Sequence, residues 1–322
     1  MRHNDLGGLG AGALILTLAL VNGCGARSSL PGGDRASSAG GGASTTTSTT
    51  TTVSVTATSS TGTPTTGFID VAAGWTHSCA IRVDGSVVCW GSNGLGESTP
   101  PGGSFLQITA SNKYTCGLRS DHTLACWGDG ELGQTAPSDG QFQAVGVGID
   151  FRCGLRVDGS VVCWGSGTSA LPSPPGAFTH LAVGGFHACA LDPSGDATCW
   201  GDDSWGQSSP PGGVFTALGA GNLHSCGVRQ DSSVGCWGDG DLGQTAPPGG
   251  SYATLAGGSD FTCGLRTSGL VVCWGSSDSG QTSAPAGQFV RVSAGNFHAC
   301  GIHPDGALEC WGLNSDGQSA PP

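Results

Sequence analysis

Positive charge is scarce in this chain: 11 Lys and Arg stand against 23 Asp and Glu, a formal net charge of −12 over 322 residues. From Phe68 to Pro322 alone the balance is 8 against 21, a net of −13 (8 − 21). A surface that grips phosphate backbones needs clustered cations, so nucleic acid is excluded as a partner. Charged residues of both signs make up only 11%, there is one Met, and Gly reaches 60 residues. Glycine weakens helix interiors, so this composition points to many short strands joined by tight turns. No cysteine pair has the short spacing of a zinc knuckle. No nucleophile elbow, phosphate loop, zincin helix or paired catalytic carboxylate stands out, and the reading is of a non-enzyme without metal or cofactor.

Cysteine, by contrast, is abundant. Apart from Cys24, the 15 cysteines fall into seven pairs, each ten positions apart: Cys79 and Cys89, Cys116 and Cys126, Cys153 and Cys163, Cys189 and Cys199, Cys226 and Cys236, Cys263 and Cys273, Cys300 and Cys310. An even set at one fixed spacing reads as a disulfide framework formed in an oxidising compartment, against the alternative of reduced structural thiols. Successive first cysteines are 37, 37, 36, 37, 37 and 37 residues apart. A strict period of this size marks a repeat architecture.

The seven copies can be compared with one another. Eleven positions before each first cysteine stands an aromatic residue (Phe68, Phe105, Phe142, Phe178, Phe215, Tyr252, Phe289), and Trp-Gly follows every second cysteine. Most copies close with Gly-Gln, as in Gly206-Gln207 and Gly243-Gln244, and then a Pro-rich turn such as Pro210-Pro211-Gly212-Gly213. Between the cysteines, a three-residue loop Val83-Asp84-Gly85 pairs Arg82 with Ser86, Ile81 with Val87 and Cys79 with Cys89. Such a loop needs a left-handed residue at its third position, which Gly supplies best. Opposed residues in a hairpin bring their Cβ atoms to about 4.5–5.5 Å, so register and cysteine spacing agree. Five repeats have Gly at that position; His122 and Ser232 replace it in the other two, where strain is expected. Loops this short imply at most roughly 3 kcal/mol per bridge.

The pattern Gly-x-x-His-x-Cys-x-(Leu/Ile)-x-x-Asp-Gly-x-Val-x-Cys-Trp-Gly…Gly-Gln resembles the repeat of the regulator of chromosome condensation, over all of residues 68–322. The resemblance implies an all-β fold, a seven-bladed β-propeller of 36–37-residue repeats with four-stranded blades, whose chain ends meet to close the ring. The seven Trp and seven Phe/Tyr would then pack between blades. The third repeat departs most, since Ser166-Gly167-Thr168-Ser169 replaces the Gly-Gln closure. The resemblance further implies an interaction module, because propellers of this family mostly bind proteins. The nuclear member's exchange activity is not carried over, as no repeat here has an insertion that could wedge into a GTPase.

Several side chains are candidates for ligand contact. Arg82, Arg119, Arg156, Arg229 and Arg266 share one repeat position and would form a ring on one rim, able to hold anions. Asp84, Asp121, Asp158 and Asp231 lie two residues further on, so local pairing competes. Trp75 and Trp205 are the two Trp outside the Cys-Trp-Gly positions and are the candidates for stacking on a sugar. His77, His187, His224 and His298 share a position with Tyr114, Phe151 and Phe261, which marks a packing site rather than a metal site. Asp129-Gly-Glu131 and Asp239-Gly-Asp241 lack the ligand series of a calcium loop.

Residues 1–23 read as an export signal, with Arg2 near the start, an apolar stretch from Leu6 to Val21 and small residues before Cys24. Val21-Asn22-Gly23-Cys24 resembles a bacterial lipobox, which implies lipid on the Cys24 sulfur. The apolar run is short and Gly-rich for spanning a bilayer, the competing assignment. Residues 24–67 are rich in Ser, Thr and Gly and are expected to be a disordered tether. The expectation is therefore a monomeric propeller, lipid-anchored at a bacterial cell envelope with the outer membrane favoured. It would bind an unidentified protein, with a glycan or envelope polymer as the alternative and a lyase or hydrolase further behind.

Overall fold

The computed structural model describes residues 67–130, 139–166 and 172–322. The signal, Cys24, the tether as far as residue 66 and Glu131 lie outside the described residues. Seven three-stranded antiparallel sheets, each strand paired with the next in sequence, occupy 68–91, 105–128, 142–165, 180–201, 215–238, 252–275 and 291–312. In blade 1 these are β1 (Phe68–Ala73), β2 (His77–Arg82) and β3 (Val87–Gly91), the inner, middle and outer strands. The inner strands neighbour one another in blade order, and β1 also packs against the inner and middle strands of blade 7, so the ring is closed. No helix among the described residues is long and apolar enough to cross a membrane.

The blades have three strands rather than four. After each Trp-Gly the chain turns at a glycine of positive φ, 92° at Gly91 and 109° at Gly201, and leaves the ladder. The return leg to the next inner strand then carries Pro100-Pro101 or its equivalents Pro174-Pro175, Pro210-Pro211 and Pro247-Pro248. Proline has no N–H to donate, so these positions add no donor to the ladder.

The hairpin register follows the expectation. Cys79 faces Cys89, Ile81 faces Val87, and Arg82 N–H donates to Ser86 O at 2.8 Å. All seven disulfides form, with Cα–Cα distances of 4.0 Å. The third loop residue is left-handed throughout: φ is 83° at Gly85, and the two substitutes follow it, His122 at 65° and Ser232 at 67°. Both therefore bear the strain of a Cβ in that region.

Among the described residues there is no central core. Each hydrophobic cluster spans one junction between neighbouring blades. At the first junction Cys79, Ile81 and Cys89 of blade 1 pack on Phe105, Ile108 and Trp127 of blade 2. The same arrangement closes the ring, where Cys300, Ile302 and Cys310 meet Val71 and Trp90. Each disulfide thus presents its sulfurs to the next blade's aromatics, which pack edge-on or tilted at 5.8–6.3 Å in five blades.

The histidine position is a packing site, and it is paired. His77, His187 and His224 set Nε2 2.6–2.8 Å from the hydroxyls of Thr115, Ser225 and Thr262, and His298 lies 2.8 Å from Ser78, always one blade on. Where Phe151 and Phe261 stand instead, the facing residues are Ala188 and Ala299. Tyr114 faces Arg152, whose guanidinium lies 4.3 Å from the ring centre. The closing junction adds Arg291 Nε donating to Ile69 O at 2.8 Å and lying 3.6 Å from the Asp70 carboxylate.

The left-handed turns and the buried histidines both affect stability. Ser232→Gly relieves the left-handed strain and should stabilise the protein by about 0.5–1 kcal/mol in urea unfolding. His122→Gly should gain less, because His122 Nδ1 also bonds Phe142 O at 2.9 Å. Burial away from water pushes His77 and His187 down to about 4, and His224 and His298 down to about 3. An unfolded histidine protonates near 6.5, so below that pH the unfolded chain binds more protons. Stability is then complete above pH 6.5 and falls towards pH 5, by up to about 1.4 kcal/mol per pH unit for each histidine. The double variant H224F/T262A, which installs the natural Phe–Ala pair, should remove one proton from that slope in urea titrations across this range; an unchanged slope would contradict it.

Candidate functional site

The strand order gives the ring two chemically different faces. One carries the middle-to-outer hairpin turns and the starts of the inner strands. The other carries the inner-to-middle turns and the closures that follow Trp-Gly. These two sets meet through Ser92 N–H to Thr76 O, Asp202 N–H to Phe186 O and Asp239 N–H to Leu223 O, at 2.8–3.0 Å.

On the hairpin face stand the five shared-position arginines. Four of them are committed to their own blades. Arg119, Arg156, Arg229 and Arg266 lie 5.0–5.9 Å from the ring centres of Phe105, Phe142, Phe215 and Tyr252. Each also donates to a turn carbonyl, as Arg119 does to Gly102 O at 3.0 Å and Arg229 to Gly212 O at 3.2 Å. Arg82 is exposed. The neighbouring aspartates serve the hairpins: Asp84, Asp158 and Asp231 accept the N–H and hydroxyl of Ser86, Ser160 and Ser233. Those side-chain and backbone bonds hold the three carboxyls below their usual value.

The closure face has a repeated frame with a changing tip. In blade 4 the buried Gln207 accepts Trp205 N–H on its side-chain oxygen at 2.9 Å and donates to Asp202 Oδ2 at 2.6 Å. Its backbone carbonyl takes the indole N–H of Trp237, one blade on, at 2.8 Å. Gln244, Gln281 and Gln318 hold Leu242, Ser279 and Asp316 in the same way, and their carbonyls take the indoles of Trp274, Trp311 and Trp90. Glu97 does this in blade 1, with Leu95 N–H on Oε2 and the Trp127 indole on its carbonyl. Asp203 closes the outer side of the Trp205 turn, accepting Ser208 N–H and the Ser209 hydroxyl. One residue therefore closes the turn, displays a tip and locks the next blade.

The tips, two residues before the Gln, are exposed where they are apolar: Leu95 45%, Trp205 51% and Leu242 54%. Phe186, in the inner-to-middle turn of the same blade as Trp205, is 37% exposed. Trp75 is half-buried in an inner-to-middle turn of the same face. It stands in blade 1 and Trp205 in blade 4, the widest separation a ring of seven allows, so the two tryptophans do not form one stacking platform. The tip positions were legible in the repeat, because the residue two before the Gln changes while its frame does not. Comparing the copies for likeness passes over them. No group of three His, Cys, Asp or Glu able to hold a metal occurs among the described residues.

Residues 68–97, 178–207, 253–281 and 289–318 match the model of the regulator of chromosome condensation (RCC1) repeat. Among solved structures, the chain is similar to the CRINKLY WD40 ectodomain of the Arabidopsis thaliana receptor kinase ACR4, at 28% identity and a TM-score of 0.68 over 78% of this chain and 97% of that one. The ectodomain of the Physcomitrella patens receptor kinase CR4 follows at 27% and 0.66, covering 77% and 74%. Prp20p of Saccharomyces cerevisiae, described with its binding to Gsp1p and histones, shares the fold at 18% and 0.59, covering 70% and 80%. No curated protein matches the sequence.

Gln207→Leu should cost about 1–3 kcal/mol, because it leaves the Trp205 N–H without its acceptor. Thermal unfolding measures the loss, and a variant as stable as the parent would mean that the frame does not depend on this side chain.

Proposed function

As a propeller of RCC1-type repeats, this chain is, we propose, a non-enzymatic scaffold that binds a protein partner outside the cytoplasm and is tethered through lipid on Cys24. The observation that carries the reading is the division of labour among its residues. The repeated His, Arg, Asp, Gln and Trp are used in blade junctions and turns, while the exposed tips vary from copy to copy. A fold alone assigns no function, but a stiff frame with variable tips suits recognition, since pre-ordered contacts cost little entropy on binding. Seven disulfides suit an oxidising compartment, and the two similar plant structures are receptor ectodomains.

Affinity capture with the oxidised full chain from an envelope and secretion extract, against a chain reduced before use, tests the scaffold. One saturable protein retained only by the oxidised form is expected. Retention of polysaccharide and no protein would favour the glycan-binding alternative, with Trp205 as its exposed ring. The anchor is tested separately. Cys24→Ser should abolish incorporation of labelled fatty acid and release the protein from the membrane fraction, whereas unchanged incorporation would remove the lipid assignment.

A further inference from the structure

Charge is divided unequally between the two faces. The five shared-position arginines all stand at the ends of middle strands on the hairpin face, and Arg291 opens an inner strand there; they offset most of the charge of the hairpin aspartates Asp84, Asp121, Asp158, Asp192, Asp196, Asp231 and Asp305, so this face is the less acidic of the two. On the closure face Lys113 is the one exposed Lys or Arg among the described residues, since Arg152 is buried against the Tyr114 ring. Against it stand nine aspartates: Asp129, Asp150, Asp202, Asp203, Asp239, Asp241, Asp260, Asp278 and Asp316. Six of them, from Asp202 to Asp278, fall in blades 4 to 6 with no Lys or Arg on that face. In the same sector lie the exposed apolar side chains Phe186, Trp205 and Leu242.

These apolar groups are held in place. Trp205 and Leu242 have their own N–H groups bound by buried Gln207 and Gln244, and the Gln207 and Gln244 carbonyls are bound by the indoles of the following blades. An exposed tryptophan on a fixed turn is an anchor of the kind that dominates protein interfaces, and Leu242 adds apolar area in the same sector. The surrounding carboxylates repel an acidic partner and draw in a basic one, which sets orientation and raises the association rate.

We infer that the partner docks on the closure face over blades 4 to 6, and that it is a protein presenting lysines and arginines around an apolar contact. Phe186, Trp205 and Leu242 are its anchor points, and Asp203, Asp241 and Asp278 select for cationic side chains. This rests on the scaffold reading and narrows it to one face and one partner chemistry.

A random twelve-residue peptide library displayed on phage, selected against the oxidised full chain, supplies a defined probe. Selected peptides should be enriched in Lys and Arg around an apolar residue. They should bind W205A/L242A at least tenfold more weakly, bind D241N/D278N more weakly with a shallower salt dependence, and keep their affinity for L106A/V290A on the hairpin face. Both exposed-site variants should melt with the parent, so lost binding is not lost folding. Peptides without cationic enrichment, peptides sensitive to L106A/V290A instead, or a selection yielding no binder would each overturn the inference. Those outcomes leave the scaffold reading standing if the extract still yields a saturable protein partner, and that reading fails separately if capture retains only polysaccharide.

Discussion

The structure depends on the junction between one blade and the next. A three-stranded sheet of short, Gly-rich strands has little to bury on its own. Each blade gains a core only when its disulfide-bearing face meets the Phe and Trp of its successor. Seven such junctions must close on themselves. The last is made by residues at opposite ends of the described chain: Arg291 reaches Asp70 and Ile69 O, Ser78 reaches His298, and the Gln318 carbonyl receives the Trp90 indole. The disulfides keep each hairpin in register so that these contacts line up, and since each blade leans on the next, loss of one junction frees the edges of two blades.

Much of this was legible in the sequence, and for a physical reason. A hairpin of fixed length sets which residues oppose one another, so the cysteine spacing and Asp-Gly turns gave register and bridges together, and the left-handed turns at His122 and Ser232 followed from the same count. The strand number was not legible from likeness to longer repeats. After Trp-Gly a glycine of positive φ turns the chain out of the ladder and the closure bonds the inner-to-middle turn instead, with Pro-Pro in several return legs offering no N–H. Junction pairing was legible but required reading across repeats: His occurs with Ser or Thr one blade on, Phe with Ala, and Tyr114 with Arg152. A single repeat shows only a variable aromatic position.

The candidate site divides in the same way. The ring of arginines was visible as a repeat position, but position alone does not say what a side chain touches, and four of the five lie across the aromatics of their own blades. Trp205 was singled out because it has no place in the repeat frame, and it is exposed. Trp75 shared that property and is half-buried three blades away. The charge difference between faces was hidden in the linear sequence, because the Arg and closure aspartates alternate along the chain and separate only when successive strands carry them to opposite ends of each blade.

The closure turns are rigid display sites, fixed by the Gln frame, on a ring sealed blade to blade. Hydrogen exchange on the oxidised full chain tests this most directly, because the amides of Trp205, Leu242, Ser279 and Asp316 lie in surface turns yet are bonded to largely buried glutamines. These four amides should exchange at rates close to those of the neighbouring strand amides. Exchange as fast as in an unstructured peptide would contradict this, leaving a sealed ring with loose turns and no pre-ordered face to present.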